Sequence, residues 1–235
     1  MSKMIAIMQP YFLPYIGYWQ LLNLVDEFVI YDNIQYSKKG WINRNRYLCG
    51  DHDKYFTLEL EKASDYLDVC ERYISESFNK HKLLNQVREA YRNAPYFLQT
   101  YELLNTIMQF NTRNLFEFIL NSIKKISENL EIKTKITISS HVSIDHSLKS
   151  EQKVLAICKA LGADRYVNPI GGIELYNKHE FSACGIELLF LKSANMPYKQ
   201  MGGEFISFLS ILDVLMFIGI EETRAMLESY NMESS

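Results

Sequence analysis

Residues 4–32 read MIAIMQPYFLPYIGYWQLLNLVDEFVIYD, and the order of the apolar runs within this stretch predicts the fold. A short apolar run ends at Gln9-Pro10, a helical pattern covers residues 16–25, and a second short apolar run ends at Asp32. A strand, a helix and a strand in so short a stretch are typical of a βαβ unit. We therefore expect an α/β fold with a mainly parallel sheet, in which residues 4–8 and 28–31 form neighbouring parallel strands.

The rest of the pattern extends this unit into a single domain over residues 1–235. Residues 42–61 alternate roughly between apolar and polar and predict a β-hairpin around residues 49–53. Residues from about 63 to 130 predict a mostly helical insertion. Further strands are expected at KITISS and GIELLFLKS, and a buried helix at SFLSILDVLMFIG, with Ser207 or Ser210 near its start. Flanking helices around the sheet complete the expected fold.

Composition restricts the class of partner. The net charge of −3 and the pI of about 6.0 predict no genomic nucleic acid partner. The four cysteines and five histidines do not stand at zinc spacing, so we expect no metal site and free thiols. No apolar run reaches the roughly 20 residues of a membrane span. The first apolar run is too short for a signal peptide, so the expected location is the cytoplasm. The oligomeric state is left open.

The crossing after the first predicted strand is the first candidate binding loop. Pro10 and Pro14 stiffen it, and Gly17 lets other groups approach the start of a helix, where free N–H groups favour an anion. Tyrosines there supply flat faces for stacking and hydroxyls for hydrogen bonds. We expect substrate contacts from Gln9, Tyr11, Tyr15 and Gly17. Phe12 and Trp19 are expected to pack in the core instead.

The segment YDNIQYSKKGWINRNR, after the second predicted strand, is the second candidate. On an alternating strand Arg44 and Arg46 share a face, where guanidinium groups can clamp a diphosphate or a carboxylate. The expected substrate-binding residues of this segment are Gln35, Lys38, Arg44 and Asn45. The alternative is that these charges form an ordinary solvated face.

Two further loops follow predicted strands. NPIGGIELY contributes Asn168, Gly172 and Tyr176, and YKQMGGEF contributes Tyr198 and Gln200. Each loop alone is also compatible with a plain turn. Because the carboxyl ends of parallel strands meet at one edge of a sheet, we expect these loops to face the first two candidates across one cavity.

Catalytic residues are weakly marked. GxSxG, GxxxxGK[ST] and HExxH motifs do not occur in the sequence. The candidates are Asp32, at the end of the second predicted strand, and His146, in the polar stretch SHVSIDHSLKSE. Either could accept a proton. The alternative for His146 is an ordinary surface histidine.

Four blocks of the chain, in this order, resemble the WbqC-like protein family. They are residues 9–46, GADRYVNPIGGIELY, GIELLFL, and YKQ followed by FISFLSILDVLMFIG. The resemblance implies a role in making an activated sugar for O-antigen, the polysaccharide of lipopolysaccharide, or for another surface polysaccharide. Many members have His where this chain has Met8, immediately before Gln9-Pro10. A methionine cannot move a proton.

A more remote similarity is to the nucleotidyltransferase-like α/β fold. Phe12, Pro14 and Gly17 resemble part of its FxPxHxGH loop, although the histidines are missing and Gly17 falls one residue early. This similarity implies ATP, or another acyl-activating donor, as the cofactor.

The resulting functional hypothesis is a transferase that moves an acyl or aminoacyl group onto the amino group of a nucleotide-linked sugar. Attack by an amine on an acyl donor needs a base and a group that stabilises the oxyanion. Two alternatives remain: a nucleotide-sugar-binding accessory protein and a nucleotidyltransferase-like enzyme that uses ATP.

Overall fold

A computed structural model describes residues 2–194 and 196–234, and its centre is a six-stranded sheet. Its strands are β1 Met4–Met8, β2 Glu27–Ile30, β5 Lys135–Ile138, β6 Arg165–Pro169, β7 Glu187–Ser193 and β8 Tyr230–Ser234; a separate hairpin pairs β3 Arg44–Cys49 with β4 His52–Thr57. The sheet order is β5-β2-β1-β6-β7-β8, and every pairing is parallel except β7 with β8. The predicted parallel neighbours β1 and β2 are confirmed.

Helices cover both faces of the sheet. They are α1 Ile16–Leu24, α2 Lys80–Tyr91, α3 Phe97–Met108, α4 Leu115–Asn129, α5 Ser150–Ala160, α6 Lys178–Ala183 and α7 Ile211–Met226. Side chains of α1, α4 and α7 share one core with Ala6 and Phe28, whereas α5 and α6 share the other with Ile5 and Val29. Because both faces are covered, β1 and β2 read as continuous apolar runs rather than alternating ones. None of the helices in the described ranges is both long and apolar enough to cross a membrane.

The segment between β2 and β5 is helical only from Lys80 onward. Residues 59–79 run mostly extended, with bridges from Leu60 to Ile74 and from Gln35 to Asp68, and a single 3-10 turn at Val69–Glu71. Backbone hydrogen bonds to the loop after β2 occupy this segment, so it cannot form a helix. Of the helices that follow, α4 packs on the sheet, while α2 and α3 pack beside the β3–β4 hairpin and α7.

The order of the strands predicts a ligand crevice at the carboxyl edge of the sheet, between β1 and β6. The chain adds β2 and β5 on one side of β1 and then returns to add β6 and β7 on the other side. The loop after β1 leads to α1 on one face, and the loop after β6 leads to α6 on the opposite face. Ligands of open α/β sheets bind where the loops diverge in this way.

The helix α7 is kinked at Gly219, whose backbone has φ 76° and ψ −178°. The Tyr96 ring lies against this glycine, and the Tyr96 backbone N–H donates to the carbonyl of Met216 at 3.0 Å. The residue that precedes α3 thus supplies a hydrogen-bond donor to the first half of α7, just before the kink.

Glu27 is a buried carboxylate at the start of β2. Lys3 and Lys135 contact it at 2.8 and 2.9 Å, and the Thr137 hydroxyl donates to it. Burial alone would raise the pKa of Glu27, but the hydrogen bonds from Lys3, Thr137 and Lys135 outweigh burial and lower the pKa to about 2.

Glu27 should make the stability sensitive to acid. Its pKa is lower in the folded state than its ordinary value of 4.5, so its contribution is complete above that value and is lost as the pH falls through about 2. The difference corresponds to about 3 kcal/mol. Urea unfolding of Glu27→Gln should show less pH dependence in this window than wild type. Glu222→Gln, at an exposed site, should match wild type. Equal pH dependence in Glu27→Gln and wild type would contradict this prediction.

Candidate active site at the carboxyl edge of the sheet

Gln9 lies directly after β1, and two tyrosines fix it. The Tyr11 hydroxyl donates to Gln9 Oε1 at 3.1 Å, and the Tyr18 hydroxyl donates to the Gln9 backbone carbonyl at 3.2 Å. Burial raises the pKa of both phenols, so they remain protonated donors. The amide Nε2 of Gln9 has no hydrogen-bond partner among the described residues. It is therefore a hydrogen-bond donor that two tyrosines hold in place at the end of β1.

Hydrogen bonds from the β3–β4 hairpin and from the start of α7 fix the loop between β1 and α1. Phe12 and Trp19 are buried, as predicted. Asn45 is also buried, and its Nδ2 donates to the carbonyls of Phe12 and Leu13. Ser210 caps α7 and donates its hydroxyl to the same Leu13 carbonyl at 2.8 Å. Asn45, expected to contact substrate, thus uses its amide to shape the loop.

At the start of α1, the close approach that Gly17 permits is made by Tyr15. A Cβ at position 17 would lie 2.5 Å from Tyr15 Cε2. The Tyr15 ring therefore covers the helix start, and it also packs edge-on against Phe208 at 5.8 Å between ring centroids. The glycine is required here by a side chain of the protein itself.

Asp32 lies just beyond β2 and is 6% exposed. Its Oδ1 accepts hydrogen bonds from the Ser139 hydroxyl at 2.8 Å and from the Ser140 backbone N–H at 2.9 Å. Asn33 contacts the same Ser139 hydroxyl and reaches His146 Nδ1 at 2.9 Å. The two predicted catalytic residues are therefore joined through Asn33 and Ser139, while Asp32 Oδ2 has no partner among the described residues.

The hydrogen bonds that link Asp32 to His146 are compatible with two arrangements of their protons. Ser139 Oγ lies near both Asp32 Oδ1 and Asn33 Oδ1, but a hydroxyl has one proton to donate. If the Asn33 amide is turned by 180°, Nδ2 donates to Ser139, and Oδ1 accepts from a protonated Nδ1 of His146. His146 Nε2 also lies 3.0 Å from the Val142 carbonyl, so both ring nitrogens of His146 have hydrogen-bond partners.

The opposite side of the expected crevice is the carboxyl end of β6 and the loop that follows it. Asn168 is buried, and its Oδ1 accepts a hydrogen bond from the Tyr166 hydroxyl at 3.2 Å. The Tyr176 hydroxyl lies 3.1 Å from that of Tyr166. A Cβ at Gly172 would lie 2.1 Å from Asn168 Nδ2, so the loop passes directly over the amide. Gln9, Asp32 and Asn168 each follow or end a strand, and β2, β1 and β6 are adjacent.

The basic segment lies farther along the loop after β2. Lys38 pairs with Asp65 at 2.7 Å, and the Gln35 amide donates to the Asp65 carbonyl. Arg44 donates to the carbonyls of Gly40 and Lys39 at 3.1 and 2.8 Å. These side chains thus order their own loop.

The last predicted pair, Tyr198 and Gln200, binds a buried carboxylate that the sequence interpretation missed. Asp213 is 0% exposed and accepts hydrogen bonds from Tyr91, Tyr198 and Gln200 at 2.8, 2.5 and 2.7 Å. Burial raises the pKa of Asp213, and the three donors oppose that rise. An Asp inside an apolar helical run was the available signal.

The predicted binding residues lie in more than one cavity. Tyr15 and Tyr198 line a small aromatic cavity of about 30 Å³ together with Phe208. Lys38 lines a different one of about 530 Å³ with Arg72. Ser139 and Asn33, which the sequence interpretation did not assign to the site, join the carboxyl edge. In the described ranges, no three His, Cys, Asp or Glu side chains converge so as to hold a metal ion.

The chain has one family match and a distant curated relative. A protein of Mycobacterium tuberculosis, "Uncharacterized protein Rv1507c", is 26% identical over 222 residues, which cover 93% of this chain and 95% of that protein. No solved structure matches this chain. The model of the WbqC-like protein family matches residues 9–225, from Gln9 at the end of β1 to the end of α7. A match over that range includes the carboxyl edge of the sheet and the helices α2, α3 and α4, and the chain therefore belongs to the WbqC-like protein family.

Proposed function

We propose that the protein transfers an acyl or aminoacyl group to the amino group of a nucleotide-linked sugar, in the synthesis of a bacterial surface polysaccharide. The observation that carries this proposal is the carboxyl edge of the sheet. Gln9, Asp32 and Asn168 end or follow adjacent strands there, where the loops after β1 and β6 lead to opposite faces. The resemblance stated above supplies the pathway. The proposed substrate-binding residues at this edge are Gln9, Tyr11, Asn168, Gly172 and Tyr176.

In this reaction the sugar nitrogen attacks the acyl carbonyl carbon. A C–N bond forms, the bond from the carbonyl carbon to the donor's leaving group breaks, and the amine loses a proton. Asp32 is the proposed base, since Oδ1 is held by Ser139 and Ser140 while Oδ2 is unpartnered among the described residues. His146 acts through Asn33 as a positioning residue. The Gln9 Nε2 donor is placed to hold substrate oxygen.

Two observations favour the alternative of a nucleotide-sugar-binding accessory protein. Met8 ends β1 at the position where the resemblance stated above implies a His in many members of the family, and both ring nitrogens of His146 already have partners. An accessory protein would use the same crevice for binding without turnover.

Asp32→Asn should abolish turnover while the fold is retained. The amide keeps an oxygen at Oδ1 for Ser139 and Ser140, so the hydrogen bonds that hold the side chain survive. Loss of a general base typically lowers the rate by about 10²–10⁴-fold. The assay is the mass shift of a UDP-linked amino sugar incubated with acyl-CoA donors, and with amino acids plus ATP.

Asp145→Asn is the matched control, because Asp145 is exposed beside His146 and bonds only its own turn at Ser147. It should keep full activity. Sugar binding without any mass shift across the panel would favour the accessory protein. Equal activity in Asp32→Asn and wild type would remove Asp32 from the mechanism.

A further inference from the structure

A second cavity lies away from the carboxyl edge, beside the hairpin. It is an open groove of about 530 Å³, bordered by the loop after β2, the end of β4 and Arg72. The charged side chains on its wall are Lys38, Glu59, Glu61, Lys62 and Arg72. We refer to it as the Arg72 groove.

Arg72 carries a buried and uncompensated positive charge. The residue is 4% exposed, and its guanidinium lies 4.7 Å from the centroid of the Tyr36 ring. Two of its nitrogens donate to the backbone carbonyls of Ser64 and Glu61, at 2.9 and 3.4 Å. Its Nε has no hydrogen-bond partner, and no carboxylate among the described residues pairs with it. A buried cation without a counterion is costly, so an anion at this position would be stabilising.

The charged side chains on the groove wall leave a small positive excess. Lys38 pairs with Asp65 and Glu61 pairs with Arg113, so that Lys62 and Arg72 are opposed only by Glu59. Tyr36, in the groove wall, is close to several of the basic side chains. Burial raises the pKa of Tyr36, and Arg72, Arg44 and Lys38 oppose the rise.

An exposed aromatic surface adjoins the groove. Trp41 and Tyr55 lie nearly parallel, with 6.1 Å between ring centroids and 19° between planes, and Arg44 lies 5.3 Å from the Tyr55 centroid. Both rings are well exposed. Tyr55 and Thr57 point to the same side of β4, and Thr57 lines the groove. A planar ring next to a bound phosphate could therefore rest on this surface.

We propose that the Arg72 groove binds the phosphate groups of a phosphorylated ring compound, whose ring packs on Trp41 and Tyr55. A nucleoside diphosphate and a sugar phosphate share this chemistry. The site is separate from the carboxyl edge, and the inference does not depend on the proposed transferase activity.

The test is to titrate the whole protein with UDP, glucose 1-phosphate and pyrophosphate. Calorimetry measures the binding, and thermal melts measure the change in Tm. We expect at least one of them to bind, to raise the Tm, and to bind more weakly at high salt. Arg72→Lys should weaken that binding at least about tenfold. The ammonium group of a lysine cannot reproduce both the paired N–H donors of the guanidinium and its planar contact with the Tyr36 ring. Lys62→Gln should weaken it about threefold. Trp41→Ala should weaken the binding of UDP and glucose 1-phosphate, which have rings, and should leave the binding of pyrophosphate unchanged.

Lys133→Gln, an exposed lysine elsewhere on the chain, is the matched control and should bind as wild type does. If Arg72→Lys fails to fold, Lys62→Gln and Trp41→Ala decide. Failure of all three probes to bind, or binding that these variants leave unchanged, would overturn the proposal.

Discussion

Asp213→Ala should lower the free energy of unfolding by about 3–5 kcal/mol. The change removes the acceptor of three buried donors, the hydroxyls of Tyr91 and Tyr198 and the amide of Gln200. Each donor left unpaired costs about 1–3 kcal/mol, and partial rearrangement keeps the total below the sum. Urea unfolding at neutral pH measures the difference directly.

A carboxylate on the exposed face of the same helix provides the control. Glu222→Ala should change the stability by less than about 0.5 kcal/mol. Tyr198→Phe combined with Asp213→Ala should cost less than the sum of the two single changes, because the hydroxyl has no acceptor to lose in the double variant. Additive effects would show that the network does not act as a unit.

Gly219→Ala should lower the free energy of unfolding by about 3 kcal/mol. A φ of 76° with ψ near 180° is a region used almost only by glycine, and it costs other residues about 1–3 kcal/mol. The added Cβ would also lie 2.7 Å from Tyr96 Cε1, and overlap of this kind costs about 1–3 kcal/mol. Circular dichroism melts and urea titration report the loss.

Two other glycines separate the backbone effect from the steric one. Gly162 has φ 65° with open space around it, so Gly162→Ala reports the cost of positive φ alone. Gly171 has neither constraint, and Gly171→Ala should be nearly neutral. Equal effects at positions 219 and 171 would contradict the assignment of Gly219 as an obligatory kink.

The parts of the fold that depend on local pattern could be predicted from the sequence. The βαβ unit over residues 4–32 was clear because its apolar runs and its helical period lie within one short stretch. The antiparallel edge strand β8 was not expected, because its residues are mostly polar and its pairing with β7 is what makes it a strand. The order of the strands also depends on contacts between distant parts of the chain.

The candidate site shows the same division. Gln9, Asp32 and Asn168 could be placed because a strand end can be read from where an apolar run stops. The link from Asp32 to His146 depends on Ser139, which is 107 residues from Asp32 and carries no motif of its own. Polar networks between distant segments leave no local pattern, so the hydrogen bonds from Tyr91, Tyr198 and Gln200 to Asp213 became visible only in three dimensions.

The contact between Tyr91 and Asp213 has a consequence for the order of events during synthesis. The two residues are 122 positions apart, and the Tyr96 N–H likewise depends on Met216. A chain growing from its N-terminus completes α2 and α3 long before the helix that anchors them exists. Until then the buried sides of these helices have no partner in α7. A nascent chain that stalls before residue 213 would therefore present this apolar surface to chaperones and proteases.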